Sequence, residues 1–377
     1  MTELLGIPMV DTGRVDVYSG VARLAGKVWA SIHRPVGESQ VAAIVIHPTS
    51  NFLGHYLLEP LSKYGVTTVG MNTRYIANDS ALIMENCVLD IAAGVRYLRE
   101  EGFEKIVLVG NSGGGGLISM YQSQAENPTI TSTPAGDPPD LTQLQIPPVD
   151  GLILLMAHPG RAIVYTEWLD PAIRNEHDPF DRDPELDMFD AVNGPPYSPD
   201  FLAQYREGQV ARNQRITAWV RERLEELSRR SDGLVDDLPF VVHGTAADPR
   251  FLDLSLDPSD REAGTLWGDP FRANLAPATL GHLTSLRSWL SQWSLEDSRS
   301  NGPAQLPHVT VPVQVMYGTG DQAAFPSHAT ALFEAVRHDR KQLVAIAHAG
   351  HYFKGQPELL QEACEHIVAW MRTHELM

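Results

Sequence analysis

A glycine-rich turn holds the side chain that is best placed for nucleophilic chemistry. Residues 110–114 read Gly-Asn-Ser-Gly-Gly, which matches the pattern G-x-S-x-G for a serine displayed on a sharp turn from strand to helix. An apolar run at 106–109 precedes the turn and a helical pattern at 114–124 follows it, as the pattern requires. Free amides at the start of such a helix favour negative charge on a bound group. We therefore predict Ser112 as a nucleophile.

A phosphate-binding glycine loop is the alternative interpretation of this turn. Residues 110–116 read GNSGGGG, which lacks the G-K-[ST] of a P-loop and fits G-x-G-x-x-G poorly. The nucleophile interpretation is therefore favoured.

A serine hydroxyl needs a base, and the base needs a carboxylate that orients it. Asp321 ends the sequence YGTGD, which begins at the end of a predicted strand, and His351 lies in GHYF after the next predicted strand. The order Ser, Asp, His, each at the carboxyl end of a strand, predicts a catalytic triad. His348 competes with His351, which we prefer because it follows a glycine and lies deeper in the loop. Asp150 precedes its strand and falls at the wrong end of the sheet.

Two hydrogen-bond donors are needed to hold the oxyanion that forms during acyl transfer. One should be the amide of Gly113, directly after the nucleophile. The other should come from the loop after the first apolar run, which begins His47-Pro48. Because proline has no N–H, we predict Thr49 as this donor and keep Ser50 in reserve; His47 is expected to be structural.

The flanking sequence alternates short apolar runs with helical patterns. This alternation predicts a parallel sheet with helices on both faces. Predicted strands lie at 41–46, 66–71, 106–109, 150–156, 311–317 and 342–347, and predicted helices at 56–63, 81–101, 114–124 and 357–374.

Two segments interrupt the alternation. Residues 127–148 are rich in Pro, Thr and Asp and are predicted as a surface loop. The larger segment contains helical patterns at 215–230 and 279–293, with an extended ribbon at 239–258 between them. We predict a core made of residues 1–157 and 308–377, and an inserted, mainly helical cap made of residues 158–307.

Composition narrows the classes of partner. The 377 residues carry a net charge of −18, which argues against nucleic acid because phosphate binding needs a basic face. Cys87 and Cys364 lie far apart, and neither has a Cys or His at the spacing of a zinc site, so both are predicted as buried free thiols. The N-terminal sequence lacks the features of a signal peptide and no run approaches the roughly 20 apolar residues of a membrane span. We expect a cytoplasmic protein without metal or organic cofactor, acting on a small molecule, with a homo-oligomer possible.

These residues resemble the α/β-hydrolase superfamily, over about 17–156 and 307–377. The resemblance implies Ser112, Asp321 and His351 as the triad and Gly113 as an oxyanion donor. The loop that supplies the second donor usually begins His-Gly in this superfamily, so His47-Pro48 is a departure. Epoxide hydrolases and haloalkane dehalogenases of this fold are similar but carry aspartate at the nucleophile position, so Ser112 argues against both of these enzyme classes.

The leading functional hypothesis is hydrolysis of a carboxylic ester through an acyl-enzyme. Arg161 and Arg74 could reach the cleft and bind a substrate carboxylate, although structural ion pairs are the alternative. Aromatic residues in a cap would favour a bulky apolar group, with Trp168 as the candidate contact, unless they only build the core of the cap. Five of the seven tryptophans lie there: Trp168, Trp219, Trp267, Trp289 and Trp293.

Three other functions stay open. Hydrolytic carbon–carbon cleavage of a diketone or ring-fission product is one, because enzymes of that type resemble this chain in having Asn before the serine, here Asn111. Thioester hydrolysis or acyl transfer is the second. The third is a hydrolase-like protein that binds a ligand without turnover.

Overall fold

A mostly parallel sheet forms the centre of the molecule. The computed structural model describes residues 2–10, 26–231, 234–277 and 279–377. The strands in these residues are β1 (Thr2–Pro8), β2 (Lys27–His33), β3 (Val41–Ile46), β4 (Thr67–Met71), β5 (Lys105–Asn111), β6 (Gly151–Leu155), β7 (Ile173–Asn175), β8 (Asp178–Arg182), β9 (Pro239–Val241), β10 (Leu283–Ser285), β11 (Val313–Gly318) and β12 (Lys341–Ile346). The main sheet has eight of them in the order β1-β2-β4-β3-β5-β6-β11-β12, and all pairs from β4 to β12 in that order are parallel.

Helices cover both faces of this sheet. Strand β3 is buried throughout because alternate side chains enter two different cores. Ile44 packs in the core that contains Ile91 and Leu117, whereas Val45 packs in the core that contains Leu61 and Ile367. The helices are α1 (Leu58–Ser62), α2 (Met84–Glu100), α3 (Gly114–Glu126), α4 (Arg161–Trp168), α5 (Pro199–Ser231), α6 (Pro270–Leu275), α7 (Leu286–Ser288), α8 (Gly302–Gln305), α9 (Pro326–Ala335) and α10 (Pro357–Thr373). The predicted α/β class is confirmed.

An insertion between β6 and β11 contains α4 to α8 and two small antiparallel pairs, β7 with β8 and β9 with β10. Its longest helix, α5, has 33 residues. Trp289 and Trp293 are fully buried in an apolar core with Tyr165, Ile216 and Val220. These two tryptophans therefore build the core of the insertion.

Two expectations for the insertion are wrong in detail. Residues 279–293 do not form one helix, because residues 283–285 pair with β9 as strand β10. The Ser285 hydroxyl then caps the amide of Ser288, so the helix starts only at Leu286, and it continues as a π-helical turn, Trp289–Trp293. The predicted ribbon at 239–258 has only the three residues of β9 in strand form; position 278 lies outside the described residues.

The insertion packs against loops at the carboxyl edge of the sheet. Asp260 contacts Thr319 and pairs with Nδ1 of His348 at 3.3 Å. Glu167 on α4 pairs with Nε2 of His328 on α9 at 2.9 Å. The insertion is therefore joined by polar contacts to the segments after β11 and β12.

Two further sequence expectations concern membranes and thiols. Within the described ranges, no helix is both long and apolar enough to cross a bilayer. Cys87 and Cys364 are free and buried, as predicted.

Candidate active site

Ser112 lies on the turn between β5 and α3. Its φ angle of 55° is in the left-handed region, which is costly for a residue with a side chain; residues held in such conformations cluster at functional sites. The strained turn is tied down by two backbone bonds: the Ser112 amide donates to Leu155 O at 3.2 Å, and the Ser112 carbonyl accepts from Gly115 N at 3.1 Å. The turn therefore has the conformation that the sequence pattern predicts.

Glycines are required around this serine because the backbone is crowded. A methyl group on Gly110 would lie 2.5 Å from the Gly114 carbonyl oxygen, and one on Gly114 would lie 2.2 Å from the Ile46 carbonyl oxygen. Any side chain at either position would push the start of α3 away from β5 or β3. The glycine run therefore holds the N-terminus of α3 against the ends of two central strands.

Asp321 and His351 form a buried pair. His351 Nδ1 lies 2.7 Å from Asp321 Oδ2, and both residues are at most 3% exposed. The other carboxylate oxygen accepts the amides of Ala323 and Ala324 at 2.7 and 3.1 Å. His351 Nε2 is buried and has no hydrogen-bond partner in the described chain. A ring that donates from Nδ1 to a carboxylate presents a free lone pair at Nε2, as a general base requires.

The loop that carries His351 bends back over β11 towards β5. A methyl group on Gly318, at the end of β11, would lie 2.1 Å from the carbonyl oxygen of Ala349, so the two loops are in close contact. Beyond His351, the ring of Phe353 lies 5.5 Å from that of Tyr56, and the Tyr56 hydroxyl accepts from Asn111 Nδ2 at 3.2 Å. The structure therefore brings the loops of Ser112, Asp321 and His351 together at one edge. The competing residue, His348, is instead exposed and paired with Asp260.

His47 occupies the loop from which the second oxyanion donor was expected. Its Nδ1 accepts the amides of Thr49 at 3.1 Å and Ser50 at 2.9 Å. The amides of Thr49 and of the reserve residue Ser50 are therefore engaged within their own loop, which argues against Thr49 as the second oxyanion donor. The other predicted donor, Gly113, lies beside the ring: a methyl group there would be 2.9 Å from His47 Nε2.

Burial keeps several nearby histidines neutral. Desolvation, followed by the charge of Arg161, holds the pKa of His47 well below its usual value. Desolvation also lowers the pKa of His55 to about 4. His158 has a lowered pKa for the same main cause, and its amide donates to the Ser112 carbonyl at 3.4 Å. His158 was not predicted from the sequence, although it follows β6 in the same way that Asp321 follows β11.

Arg161 lies next to the nucleophile turn. It is buried, and its Cγ would lie 3.4 Å from a methyl group on Gly113. The guanidinium lies 4.3 Å from the ring centre of Trp293 and donates to Gln292 at 3.0 Å and to Asp79 at 3.1 Å. Its Nη1 makes no hydrogen bond within the described chain. The predicted role of Arg161 in substrate binding is therefore compatible with its position.

Trp168 and Arg74 have structural surroundings instead. Trp168 is 3% exposed, in an apolar cluster with Phe251, Ala323 and Phe325 that supports the loop of Asp321. Arg74 forms a buried ion pair with Asp90, with Nη2 2.8 Å from Oδ1. The assignment of these two residues to substrate binding is therefore not supported: the tryptophan is enclosed, and the charge of the arginine is neutralised.

We expect the replacement Arg74→Ala to act on stability. Removing one partner of a buried ion pair leaves the other charge uncompensated, which costs about 3–5 kcal/mol. Denaturant unfolding of the variant measures this loss. The matched control is Lys63→Ala, which removes an exposed pair with Glu59 and should leave the unfolding free energy nearly unchanged, because solvent screens the pair. An unchanged unfolding free energy together with a raised KM would instead assign Arg74 to substrate binding.

Within the described residues, no group of three or more His, Cys, Asp or Glu side chains has an arrangement that could hold a metal ion.

Known proteins were compared with this chain at three levels. No family model matches it, and no curated protein is significantly similar in sequence.

Several solved structures are similar to this chain in fold. The alpha/beta hydrolase GrgF from Penicillium sp. sh18 aligns with 99% of each chain at 11% identity and a TM-score of 0.52. DcsB, solved in complex with its substrate analogue, aligns with 99% of each chain at 10% identity and a TM-score of 0.50. The esterase domain from a Rhodothermus marinus protein covers 99% of this chain and 98% of its own at 14% identity, with a TM-score of 0.48. Sheet order, helix layers and the full-length alignments with GrgF and DcsB together identify the fold of this chain as that of the α/β-hydrolases.

Proposed function

We propose that this chain is a serine hydrolase that cleaves a carboxylic ester through an acyl-enzyme. The observation that carries the proposal is the buried pair of Asp321 and His351, 2.7 Å apart, whose unpartnered Nε2 belongs to the same sheet edge as the strained Ser112. A carboxylate, an oriented imidazole and a serine on a nucleophile turn form the arrangement that activates a hydroxyl for acyl transfer.

The reaction begins when Ser112 Oγ attacks the ester carbonyl carbon. His351 Nε2 takes the hydroxyl proton, and Asp321 stabilises the imidazolium through Nδ1. The carbonyl electron pair moves onto oxygen, and the Gly113 amide at the start of α3 donates to this oxyanion. Collapse of the intermediate expels the alcohol, which takes the proton from His351. Water then attacks the acyl carbon and gives a proton to His351 Nε2. The bond between the acyl carbon and Ser112 Oγ breaks, the acid leaves, and His351 returns the proton to Ser112 Oγ.

Two further observations support a hydrolytic function. The fold is shared with GrgF, which is named an alpha/beta hydrolase, and with DcsB, which was solved with a substrate analogue. The insertion at 158–307 contacts Thr319 after β11 and His348 after β12 through Asp260, and it contacts helix α9 through Glu167. In this proposal the insertion is a cap over the cleft, and a small molecule is bound beneath it.

The test of ester hydrolysis is a panel of p-nitrophenyl esters with acyl chains from acetyl to dodecanoyl. We expect saturable turnover with a maximum of kcat/KM at one chain length, because a cap over the cleft limits the acyl pocket. Absence of turnover on every member, together with absence of covalent labelling of Ser112, would contradict hydrolysis and favour a binding protein without turnover.

Carbon–carbon cleavage is a second candidate, and the position of Arg161 favours it. Its side chain runs beside Gly113, and Nη1 lacks a hydrogen bond within the described chain, so it could bind the carboxylate of a diketo acid. A vinylogous diketo acid assayed beside the ester panel distinguishes the two. Preferred turnover of this acid, lost in Arg161→Met while neutral esters are still cleaved, would replace ester hydrolysis as the main activity.

A further inference from the structure

The loop after β3 does not offer a backbone donor in the usual way. Pro48 has no N–H, and the next two amides, Thr49 and Ser50, both donate to His47 Nδ1. An amide that already donates to a ring nitrogen is not available to donate to an oxyanion. If the proposed hydrolysis is correct, a second donor opposite Gly113 must come from another group.

The ring of His47 lies where such a donor is needed. A methyl group on Gly113 would be 2.9 Å from Nε2 and 3.5 Å from Cδ2 of His47. The first oxyanion donor is the amide of this same glycine, so the ring edge and the amide lie side by side. His47 Nε2 makes no hydrogen bond within the described chain. Unlike His351 Nε2, it keeps some exposed surface. The nitrogen is therefore neither hydrogen-bonded within the described chain nor fully enclosed, although the residue as a whole is buried.

The hydrogen bonds of the ring determine where its proton lies. A nitrogen that accepts two amides cannot carry a proton, so Nδ1 is bare and Nε2 bears the N–H. The ring stays neutral near pH 7, because burial and the nearby positive charge of Arg161 hold the pKa of His47 well below its usual value. A neutral ring of this tautomer is a donor at Nε2 and cannot act as a base there.

The geometry points to His47 as a catalytic residue whose Nε2–H donates to the oxyanion beside the Gly113 amide. This role rests on the proposed function and adds a donor to it. When Ser112 Oγ bonds to the carbonyl carbon, the C=O electron pair moves onto oxygen and the hydroxyl proton goes to His351. The alkoxide then accepts from both donors, and His47 keeps its proton throughout. The departure from His-Gly is therefore compensated by the histidine side chain itself.

Two substitutions separate this role from the structural role of the ring. His47→Asn retains an acceptor, Oδ1, near the position of Nδ1 and so can still hold the amides of Thr49 and Ser50, but it has no donor at Nε2. His47→Gln is the matched variant, because its amide nitrogen can reach the position of Nε2 while the acceptor at Nδ1 is lost. The melting temperatures of both variants measure how much stability is lost when the hydrogen bonds of this loop are changed.

We expect His47→Asn to lower kcat on p-nitrophenyl butyrate about 10²–10³-fold, as removal of one oxyanion donor does, with KM changed less than about threefold. Binding of trifluoroacetophenone, which forms an alkoxide adduct with Ser112, should weaken by a similar factor. His47→Gln should retain more activity than His47→Asn, even if it melts at a lower temperature.

Two outcomes would overturn this role. The first is a His47→Asn variant that turns over and binds the ketone within about threefold of the parent. The second is a loss of activity that follows the melting temperature in both variants, with the glutamine variant the weaker enzyme. If the parent itself neither hydrolyses the ester nor binds the ketone, the proposed hydrolysis fails, and the role of His47 fails with it.

Discussion

Replacement of Ser112 by alanine is expected to lower kcat on p-nitrophenyl butyrate about 10⁶-fold, the loss that follows removal of the nucleophile from a triad. KM should change little, because the hydroxyl is needed for the reaction and not for binding the ester. The fold should be retained, because alanine at this position would adopt the same φ of 55° at a cost similar to that of the serine. Steady-state kinetics and thermal melting measure the two effects.

The matched control for this variant is Ser119→Ala. Ser119 is a buried serine on the same helix, α3, and its hydroxyl donates to the Gly115 carbonyl at 2.8 Å. This control should keep the kcat of the parent. Turnover that survives in Ser112→Ala above about one hundredth of the parent rate, against the much larger loss expected for a nucleophile, would exclude Ser112 from this role.

The second large effect is expected for Asp321→Asn, which should lower kcat about 10⁴-fold. The amides of Ala323 and Ala324 donate to one oxygen of Asp321, so the carbonyl oxygen of the asparagine will stay with them. Its NH₂ group must then face His351 Nδ1. The ring would have to accept at Nδ1 and carry its proton at Nε2, where it cannot serve as a base.

The control for Asp321→Asn is Asp260→Asn. Asp260 pairs with the exposed His348, the histidine that competes with His351 in the sequence, and this substitution should leave kcat unchanged. A full loss in Asp260→Asn with activity retained in Asp321→Asn would make His348 the base and would contradict the assignment of the triad.

The central strands could be predicted from the sequence because they are buried on both faces. Val41–Ile46 is apolar at every position, and the predicted bounds of this strand are those of β3. The antiparallel strands β1 and β2 were missed. Most of β1 is exposed or half-buried, and β2 mixes buried and exposed positions, so neither has a continuous apolar run. Burial on both faces therefore distinguishes β3, which was predicted, from β1 and β2, which were not.

The placement of Ser112, Asp321 and His351 at one edge could also be predicted from the sequence, because each follows a strand that enters the same parallel sheet. The hydrogen-bond partners of individual polar atoms could not be predicted from the sequence. Whether the Thr49 amide faces the cleft or His47 depends on the path of one loop, and the pairing of Arg74 with Asp90 depends on a contact across 16 residues. Neither choice changes composition or periodicity, so the sequence alone contains no signal for it.

Covalent labelling of the parent and of Ser112→Ala with a fluorophosphonate, followed by intact mass measurement, tests the central claim most directly. The reagent reacts only with a serine whose hydroxyl is activated. The account predicts one adduct on the parent and none on the variant, with loss of ester turnover in proportion to labelling. A parent that stays unlabelled, or a variant that is labelled as fast as the parent, would contradict the assignment of Ser112 as the nucleophile.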